Sequence, residues 1–137
     1  MAVERRSPDD RTAGPGYAEI AVASGLAFLA GQCPLDDDGN LVGSGDVVVQ
    51  TRQVVANLRA CFDDLGVAPA AVIKSTIYVV GGQEDLASVW SVFRESGITG
   101  TPVAPSTLLG VERLGYTGQL VEIEAVVSLD ERGDPEG

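Results

Sequence analysis

The sequence predicts an α+β protein in which two helices pack on one face of a mixed β-sheet. Three observations lead to this prediction: short β-branched segments between Gly, Asn and Asp turns, two longer segments with apolar residues three and four apart, and the order of these segments along the chain. The chain has 137 residues, of which 45% are hydrophobic, enough for a domain with its own core. We therefore expect one domain over residues 14–130, between mobile tails at residues 1–13 and 131–137.

The domain is predicted to begin with a β-hairpin. Residues 17–22 and 26–30 are apolar strand candidates that flank Ser24 and Gly25, a pair that favours a tight turn. The sequence DDDGN at residues 36–40 predicts a second turn, and a short strand is expected at residues 41–42. The start of the domain, up to residue 42, is therefore predicted to consist of strands and turns, followed by the first helix.

Two helices are predicted from capping residues and apolar spacing. The first begins at the N-cap Asp46, runs to about Leu65 and ends at Gly66. Its buried stripe is expected to consist of Val47, Thr51, Val54, Leu58, Cys61 and Leu65. The second helix is predicted over residues 84–95, and Trp90 lies on it as an anchor for the core.

Residues 71–80 predict the central strand, and residues 105–113 and 120–129 predict the last two strands. Because both helices cover the same face of the sheet, apolar side chains on the other face would remain partly exposed. We expect that exposed set to include Leu26, Phe28, Ile77 and Val79. Closed cyclic assembly would cover such a face, and clefts between subunits would then be natural ligand sites.

The last strand carries two carboxylates on one side. Side chains alternate along a strand, so Glu122 and Glu124 share one face while residues 121, 123, 125 and 127 share the other. A solvated sheet face would explain the two glutamates without any function. A carboxylate at the mouth of a pocket, available for proton transfer or for ordering a water molecule, would explain them equally well.

Composition excludes several classes of function. The net charge of −11 and the isoelectric point near 4.2 disfavour nucleic acid and anionic membranes as partners. The sequence contains no histidine, which excludes His-dependent triads and most zinc or iron sites, and no metal site is expected. Cys33 and Cys61 are expected to be free thiols. With no export signal and no membrane-spanning apolar run, the chain is expected to be cytoplasmic.

Five segments in this order resemble the RidA family, also called YjgF or L-PSP proteins. They are GPGY at residues 14–17, AGQCPLDDDGNLV at 30–42, GDVVVQTRQVVANL at 45–58, VIKSTIYV at 72–79 and LVEIEAVV at 120–127. The resemblance implies a chorismate-mutase-like α+β protomer that assembles into a homotrimer, with three small-molecule clefts between subunits. It also implies hydrolysis of reactive enamines and imines to 2-keto acids and ammonia, with no metal or organic cofactor.

The resemblance also implies roles for individual residues. Tyr17 matches the tyrosine whose ring lines the cleft, and Gly31 matches the glycine whose backbone contacts the ligand. Glu122 matches the glutamate that positions and activates the hydrolytic water, which makes it the candidate catalytic residue. Glu124 would have a supporting or structural role.

One family feature is missing from this sequence. Deaminases of the family carry an arginine before the fifth strand, which clamps the substrate carboxylate. Here either Ser106 or Pro105 occupies that position, and Arg113 matches a different basic residue of the pattern. This departure from the family pattern points to another ligand, neutral or larger, held by Ser106, Thr107 and apolar contacts such as Leu108. Arg113 and Trp90 are further candidates for a supporting role.

Three functions are compatible with these observations. The first is an enzyme that hydrolyses an imine, an enamine or a related electrophile without the usual grip on a carboxylate. The second is a non-catalytic trimer that binds a small molecule or a protein, which the missing arginine would favour. The third is an endoribonuclease, which the acidic composition and the absence of a basic stripe make the least favoured of the three.

Overall fold

The computed structural model describes residues 2–8 and 16–130, and within them the chain forms one six-stranded sheet and two α-helices. The strands are β1 Glu4–Arg6, β2 Ile20–Ala23, β3 Leu26–Gln32, β4 Val72–Val79, β5 Ser106–Gly110 and β6 Val121–Ser128; the helices are α1 Val47–Leu65 and α2 Gln83–Ser96. The sheet order is β1-β2-β3-β6-β4-β5, in which only the β4–β5 pair is parallel. The predicted α+β fold with a mixed sheet is confirmed.

The N-terminal segment differs from the expected tail. Glu4–Arg6 forms the edge strand β1, which pairs antiparallel with β2. Arg6 holds this strand against α1, because its Nε and one terminal nitrogen donate to Asp64 Oδ2 at 2.9 and 2.6 Å. Three charged residues give no apolar alternation, so the sequence pattern does not reveal this strand. Residues 9–13 and 131–137, also expected to be tails, lie outside the described residues.

Both predicted helix caps of α1 are confirmed. Asp46 Oδ1 accepts hydrogen bonds from the backbone N–H groups of Val48 and Val49, both at 3.1 Å. Gly66 ends the helix in the left-handed region with φ +69°, a conformation that favours glycine.

The predicted strand at residues 41–42 is reduced to a single bridge between Leu35 and Leu41. Neither of the two helices in the described part of the chain is long and apolar enough to cross a membrane.

The two faces of the sheet differ as the alternation in β6 predicts. Residues 121, 123, 125 and 127 are buried toward the helices, whereas Glu122 and Glu124 lie on the opposite face, which we call the open face. The prediction that Ile77 and Val79 lie there is wrong, because both are fully buried against the helices. Lys74, Thr76 and Tyr78 alternate with Ile77 and Val79 along β4, so the polar side chains take the open face and Ile77 and Val79 face the helices. Phe28 does lie on the open face and is 48% exposed.

Candidate functional site

The pairing of β3 with β6 brings Gly31 directly against Glu122. An irregularity in this ladder, between Leu29 and Gln32, turns the β3 backbone toward the glutamate. A Cβ atom added at Gly31 would lie 2.1 Å from Oε2 of Glu122 and 2.6 Å from its Cδ. Only glycine leaves room for the carboxylate at this place.

Two donors hold the other oxygen of the Glu122 carboxylate. The thiol of Cys33 donates to Oε1 at 3.3 Å, and Nε2 of Gln119 donates to the same atom at 3.1 Å. Oε2 accepts no hydrogen bond from residues 2–8 or 16–130. The carboxylate is therefore oriented through one oxygen, while the other remains able to accept a proton or a hydrogen bond from a ligand or water.

The Gln119 side chain is itself fixed. It is 3% exposed, its Oε1 accepts from the backbone N–H of Tyr116, and its Nε2 also donates to the carbonyl of Val121. Its amide therefore has partners at both ends, and these assign the nitrogen to the side of Glu122. The turn from Tyr116 to Gln119 thus presents a preoriented donor to the carboxylate.

Polar residues of α1 hold the loops that carry both donors. Nδ2 of Asn57 donates to the carbonyl of Cys33 at 2.8 Å. Nε2 of Gln50 donates to the carbonyl of Gly118 at 3.0 Å, and Oε1 of Gln50 accepts from the N–H of Leu120 at 2.7 Å. Gln50 and Asn57 are seven residues apart and therefore lie on one side of the helix. Burying them on this helix satisfies loop backbone groups that would otherwise be unpaired.

Tyr17 lies beside this cluster with 55% of its surface exposed. Partial burial raises the pKa of its phenol, and the nearby Cys33, Tyr116 and Glu122 raise it further. The pKa of the Cys33 thiol is raised to about 12. Burial is the largest cause, and the negative charge of Glu122 and its hydrogen bond to the thiol raise the pKa further. Cys33 is therefore a protonated donor at neutral pH rather than a thiolate nucleophile.

Glu124 has different neighbours on the same strand face. The hydroxyl of Tyr78, on β4, donates to Oε1 of Glu124. This hydrogen bond is the largest cause of a Tyr78 pKa raised to about 12. A cavity of about 130 Å³ adjoins Glu124 and is lined by Phe28, Leu29, Lys74, Thr76, Glu124, Ala125 and Val126.

The predicted ligand-binding residues of β5 lie away from Glu122 in the same chain. Strand β4 separates β5 from β6, and Tyr78 of β4 pairs with Glu122 on one side and with Leu109 of β5 on the other. Ser106 bonds to the hydroxyl of Ser75 and to the carbonyl of Ala104, which turns it toward the helix-covered face. Leu108 packs against the core on that face as well. Thr107 is exposed on the open face, where it accepts from Lys74 Nζ at 2.8 Å.

The remaining candidates also lie apart from the cluster. Arg113 has an 81% exposed side chain and pairs with Glu112 at 3.0 Å. Trp90 stacks on Phe93 within α2, with ring centroids 5.7 Å apart, on the helical side of the sheet. No group of three or more His, Cys, Asp or Glu side chains in residues 2–8 and 16–130 could hold a metal ion. The structure therefore brings together Tyr17, Gly31 and Glu122 of the predicted site.

Comparison with known proteins identifies the family. A model of the family described as Endoribonuclease L-PSP matches residues 9–129. The chain belongs to this family, which includes the RidA and YjgF proteins. A RutC family protein of Pyrococcus horikoshii is 34% identical over 110 residues, which cover 80% of this chain and 84% of the relative. A RutC family protein of Synechocystis is 34% identical over 114 residues, 82% of this chain and 85% of that protein.

Solved structures of RidA-type proteins share the fold. The Rid family protein YyfA of Yersinia pestis, described as of unknown function, superposes with a TM-score of 0.80 at 27% identity, covering 93% of this chain and 99% of its own. Escherichia coli TdcF, solved with bound serine, superposes with a TM-score of 0.76 at 22% identity, covering 90% of this chain and 96% of its own. At 22% identity, the similarity to TdcF shows a shared fold and nothing more.

Sequence reasoning missed Cys33 and Gln119, the two donors to Glu122. Cys33 is part of the AGQCP segment of this RidA-family chain, but nothing in that segment shows that its thiol reaches β6. Gln119 lies two residues before the start of β6 and three residues from Glu122, and this short spacing is the one sequence signal that could have suggested the contact. Both contacts depend on how the loops close against α1.

Proposed function

We propose that this protein hydrolyses a reactive imine or enamine, and that Glu122 activates the water. The observation that carries this proposal is the way in which the two oxygens of the Glu122 carboxylate are placed. One oxygen is held by Cys33 and Gln119, and the other lies against the backbone of Gly31 on the open face. A carboxylate fixed in this way can take and return a proton without reorganising its surroundings.

The proposed reaction needs only this carboxylate and water. Glu122 accepts a proton from water while the water oxygen bonds to the carbon of a protonated imine, and the π electron pair moves to nitrogen. Glu122 then protonates the nitrogen of the resulting carbinolamine, and the C–N bond breaks as ammonia leaves. The hydroxyl proton returns to Glu122 and passes to ammonia, so imine and water give a carbonyl compound and ammonium. General acid–base assistance of this kind contributes about 10²- to 10⁴-fold.

Cys33 and Gln119 act as positioning residues in this proposal. Both donate to Oε1, which fixes the carboxylate plane and leaves Oε2 to face the water. The high pKa of Cys33 keeps its proton in place across the physiological range. No covalent intermediate on sulfur is required.

We further propose that the site is completed by a second subunit of a homotrimer. Ser106 and Thr107 cannot reach Glu122 of their own chain because β4 lies between them, but β5 is an edge strand that can approach another copy. Exposed Phe28 and Leu109 on the open face support burial of this surface. The serine bound to E. coli TdcF, named in the description of that structure, supports small-molecule binding on this fold. A cytoplasmic location is part of the same proposal.

The ribonuclease activity in the family description is not proposed for this chain. A net charge of −11 opposes binding to a phosphate backbone, which most nucleic-acid-binding proteins achieve with clustered lysine and arginine. The residues around Glu122 are a thiol, an amide and a phenol. They provide no cation for a phosphate.

Mixed trimers test catalysis and the shared cleft in one experiment. Glu122→Gln removes the proposed base, and Thr107→Trp places a bulky side chain on the exposed face of β5. Each variant alone should release ammonia from freshly generated imines no faster than buffer. If each site takes Glu122 from one copy and Thr107 from the next, an equal mixture reassembled from denaturant should recover about a quarter of the wild-type rate.

Three results of this experiment would count against the proposal. A wild-type rate equal to that of buffer, over imines with and without a carboxylate, would favour the non-catalytic binding module. Recovery of nothing in the mixture, with trimers verified by light scattering, would contradict the shared cleft alone. Full activity of Glu122→Gln would contradict the role of the carboxylate. Thr107→Ser is the control and should behave as wild type.

A further inference from the structure

Two tyrosines from different loops lie beside the Glu122 carboxylate, and each is partly exposed. Tyr17 lies in the segment before β2 and is 55% exposed, and Tyr116 lies in the turn before β6 and is 39% exposed. Tyr78, the third tyrosine of the sequence, is instead bound to Glu124. Within residues 2–8 and 16–130, the hydroxyl groups of Tyr17 and Tyr116 form no hydrogen bond. Their rings are therefore available to a ligand.

The backbone of Tyr116 is connected to Glu122 through a single side chain. Its N–H donates to Oε1 of Gln119 at 3.1 Å, and Nε2 of the same amide donates to Oε1 of Glu122 at 3.1 Å. Because only the backbone of Tyr116 takes part in these contacts, its ring can be replaced without removing a donor from Glu122.

Tyr17 is held near the same carboxylate by a contact with β3. The carbonyl of Glu19, two residues further along the chain, accepts from the N–H of Ala30 at 2.8 Å. Ala30 precedes Gly31, whose backbone lies against Oε2 of Glu122. The segment that carries Tyr17 is therefore fixed beside the free side of the carboxylate.

The pKa of Tyr17 supports the proximity of the two rings. Burial is the largest cause of the raised pKa of its phenol, and the nearby Cys33 and Tyr116 raise it further. The charges of Glu122 and of the buried Glu19 add smaller increases. Both phenols thus belong to one cluster of groups around the carboxylate.

We propose that Tyr17 and Tyr116 bind an aromatic ring of the substrate, so that the preferred imine carries an aromatic side chain. This inference rests on the proposed function and specifies its substrate. Aromatic rings prefer offset-stacked or edge-to-face contacts, which stabilise a pair beyond the apolar area that it buries. A small-molecule pocket typically combines aromatic walls with a few polar groups that fix the ligand. Here the two tyrosines supply the aromatic wall and Glu122 supplies the polar group.

Two imines that differ only in the ring provide the test. An excess of amino-acid oxidase acting on phenylalanine or on cyclohexylalanine generates 2-imino-3-phenylpropanoate or 2-imino-3-cyclohexylpropanoate in the cuvette. Semicarbazide traps the imine that remains, so catalysed hydrolysis is measured as lost semicarbazone relative to buffer. Both imines carry the same carboxylate, so Lys74, Glu19 and Glu122 affect them alike. We expect kcat/KM for the phenyl compound to be about fivefold higher.

Substitution of Tyr116 separates a contact with the substrate from a structural role. Tyr116→Leu removes the ring but keeps an apolar side chain, and it should reduce the preference for the phenyl compound to less than about twofold, through KM rather than kcat. Tyr116→Phe keeps the ring and should retain the preference. An equal loss of kcat for both imines in Tyr116→Leu would mean that the ring supports the turn that carries Gln119, and would overturn the proposed contact.

A binding measurement with uncharged probes separates recognition from turnover. Phenylacetamide and cyclohexylacetamide differ only in the ring, and their binding can be followed by chemical shifts in the full-length protein. We expect phenylacetamide to bind about fivefold more tightly. Tyr116→Leu and Tyr17→Leu should each reduce that difference, and Tyr116→Phe should retain it.

The possible outcomes distinguish failure of this inference from failure of the proposed function. Equal turnover of the two imines, or equal binding of the two amides, would overturn the aromatic contact and leave imine hydrolysis standing. No acceleration of either imine, together with binding of phenylacetamide that depends on Tyr116, would overturn the proposed function and keep the aromatic contact. A preference in both measurements that Tyr116→Leu removes and Tyr116→Phe retains would support both.

Discussion

Glu122 and Glu124 lie two residues apart on the same face of β6, yet their surroundings differ completely. Glu122 lies where β3 bends and presents Gly31, so its carboxylate meets bare backbone on one side and two donors on the other. Glu124 lies in the middle of the sheet and accepts the hydroxyl of Tyr78 across the β4–β6 ladder. The Glu122 carboxylate is held through Oε1, and its Oε2 accepts no hydrogen bond from residues 2–8 or 16–130. The Glu124 carboxylate is instead paired with Tyr78 across two strands.

This difference shows that the strand alone does not create a functional carboxylate. The pattern of β6 places both glutamates on the open face, but the neighbouring loops decide what each can do. At Glu122, the loops that present Cys33 and Gln119 are held by Asn57 and Gln50 of α1. The segment of α1 that contains Gln50 and Asn57 therefore affects the site indirectly, because it fixes the two loops that carry the donors to Glu122.

Gly31→Ala should have the largest effect among changes around Glu122. The new Cβ would occupy the place of Oε2 and force the carboxylate away from its position, so we expect kcat to fall about 100-fold. Global stability should change little, because the atoms that must move belong to the end of a side chain. Imine hydrolysis and thermal unfolding measured on the same sample check both statements.

The matched control is Gly82→Ala, since a Cβ at Gly82 would meet no atom within 4 Å. Its backbone has φ −88°, which alanine adopts without strain. It should keep wild-type activity. If Gly31→Ala is as active as Gly82→Ala, the contact between Gly31 and Glu122 has no part in positioning the carboxylate.

Removal of one donor to Oε1 should have a smaller effect. Cys33→Ala leaves Gln119 as the remaining donor, and we expect kcat to fall about tenfold with little change in KM. Cys33→Ser keeps a hydroxyl donor at the same position and should recover most of the loss. Equal losses for the two variants would show that packing of the thiol matters and its hydrogen bond does not.

Alkylation of Cys33 should reveal the charge of Glu122 directly. Because burial and Glu122 raise the pKa of the thiol to about 12, iodoacetamide should react slowly at pH 8, and the rate should rise with pH until about 12. Glu122→Gln removes the negative charge, which lowers the pKa and should speed alkylation several-fold. Burial, the largest cause, should still keep the pKa above its ordinary value.

The alkylation measurement is made in a Cys61→Ala background, so that Cys33 is the sole thiol in the chain. Glu124→Gln serves as the comparison. Removal of a carboxylate that Cys33 does not contact should leave the rate unchanged. Equal acceleration by both substitutions would mean that the thiol senses the overall charge of the open face and not Glu122 in particular.

Tyr78→Phe should have the smallest effect, and on stability rather than on activity. The phenol's pKa is raised in the folded state by its hydrogen bond to Glu124, so the stability it contributes is complete below pH 10 and is lost as pH rises toward 12. The variant should lose less than about 1 kcal/mol at pH 7 and should show a shallower loss of stability between pH 10 and 12. Denaturant melts at several pH values measure this, and identical alkaline slopes would contradict it.

Much of the fold could be predicted from the sequence because its signals are local. The Asp46 cap, the Gly66 end of α1 and the alternation in β6 each depend on neighbouring residues, and the structure confirms all three. Strand β1 could not be predicted, since its pairing depends on β2 and on an ion pair with Asp64, far away in the sequence. The prediction that Ile77 and Val79 are exposed was wrong, although Lys74, Thr76 and Tyr78 alternate with them along β4 and mark the opposite face as the polar one.

The candidate site could be predicted only in part, because the sequence motifs identify single residues and not the contacts that form between distant loops. The resemblance supplied Tyr17, Gly31 and Glu122, and the structure brings these three together. It could not supply the hydrogen bonds of Cys33 and Gln119, which arise only when two loops close against α1. Nor could sequence order show that β4 separates Ser106 from Glu122 within one chain.

The most direct test of the account compares the two carboxylates by kinetics. Glu122→Gln and Glu124→Gln each remove one negative charge from the same strand face, and both variants should fold. We predict that Glu122→Gln lowers kcat/KM for imine hydrolysis at least about 100-fold while Glu124→Gln stays within about threefold of wild type. Similar losses in the two variants, or the larger loss in Glu124→Gln, would contradict the assignment of Glu122 as the carboxylate that activates water.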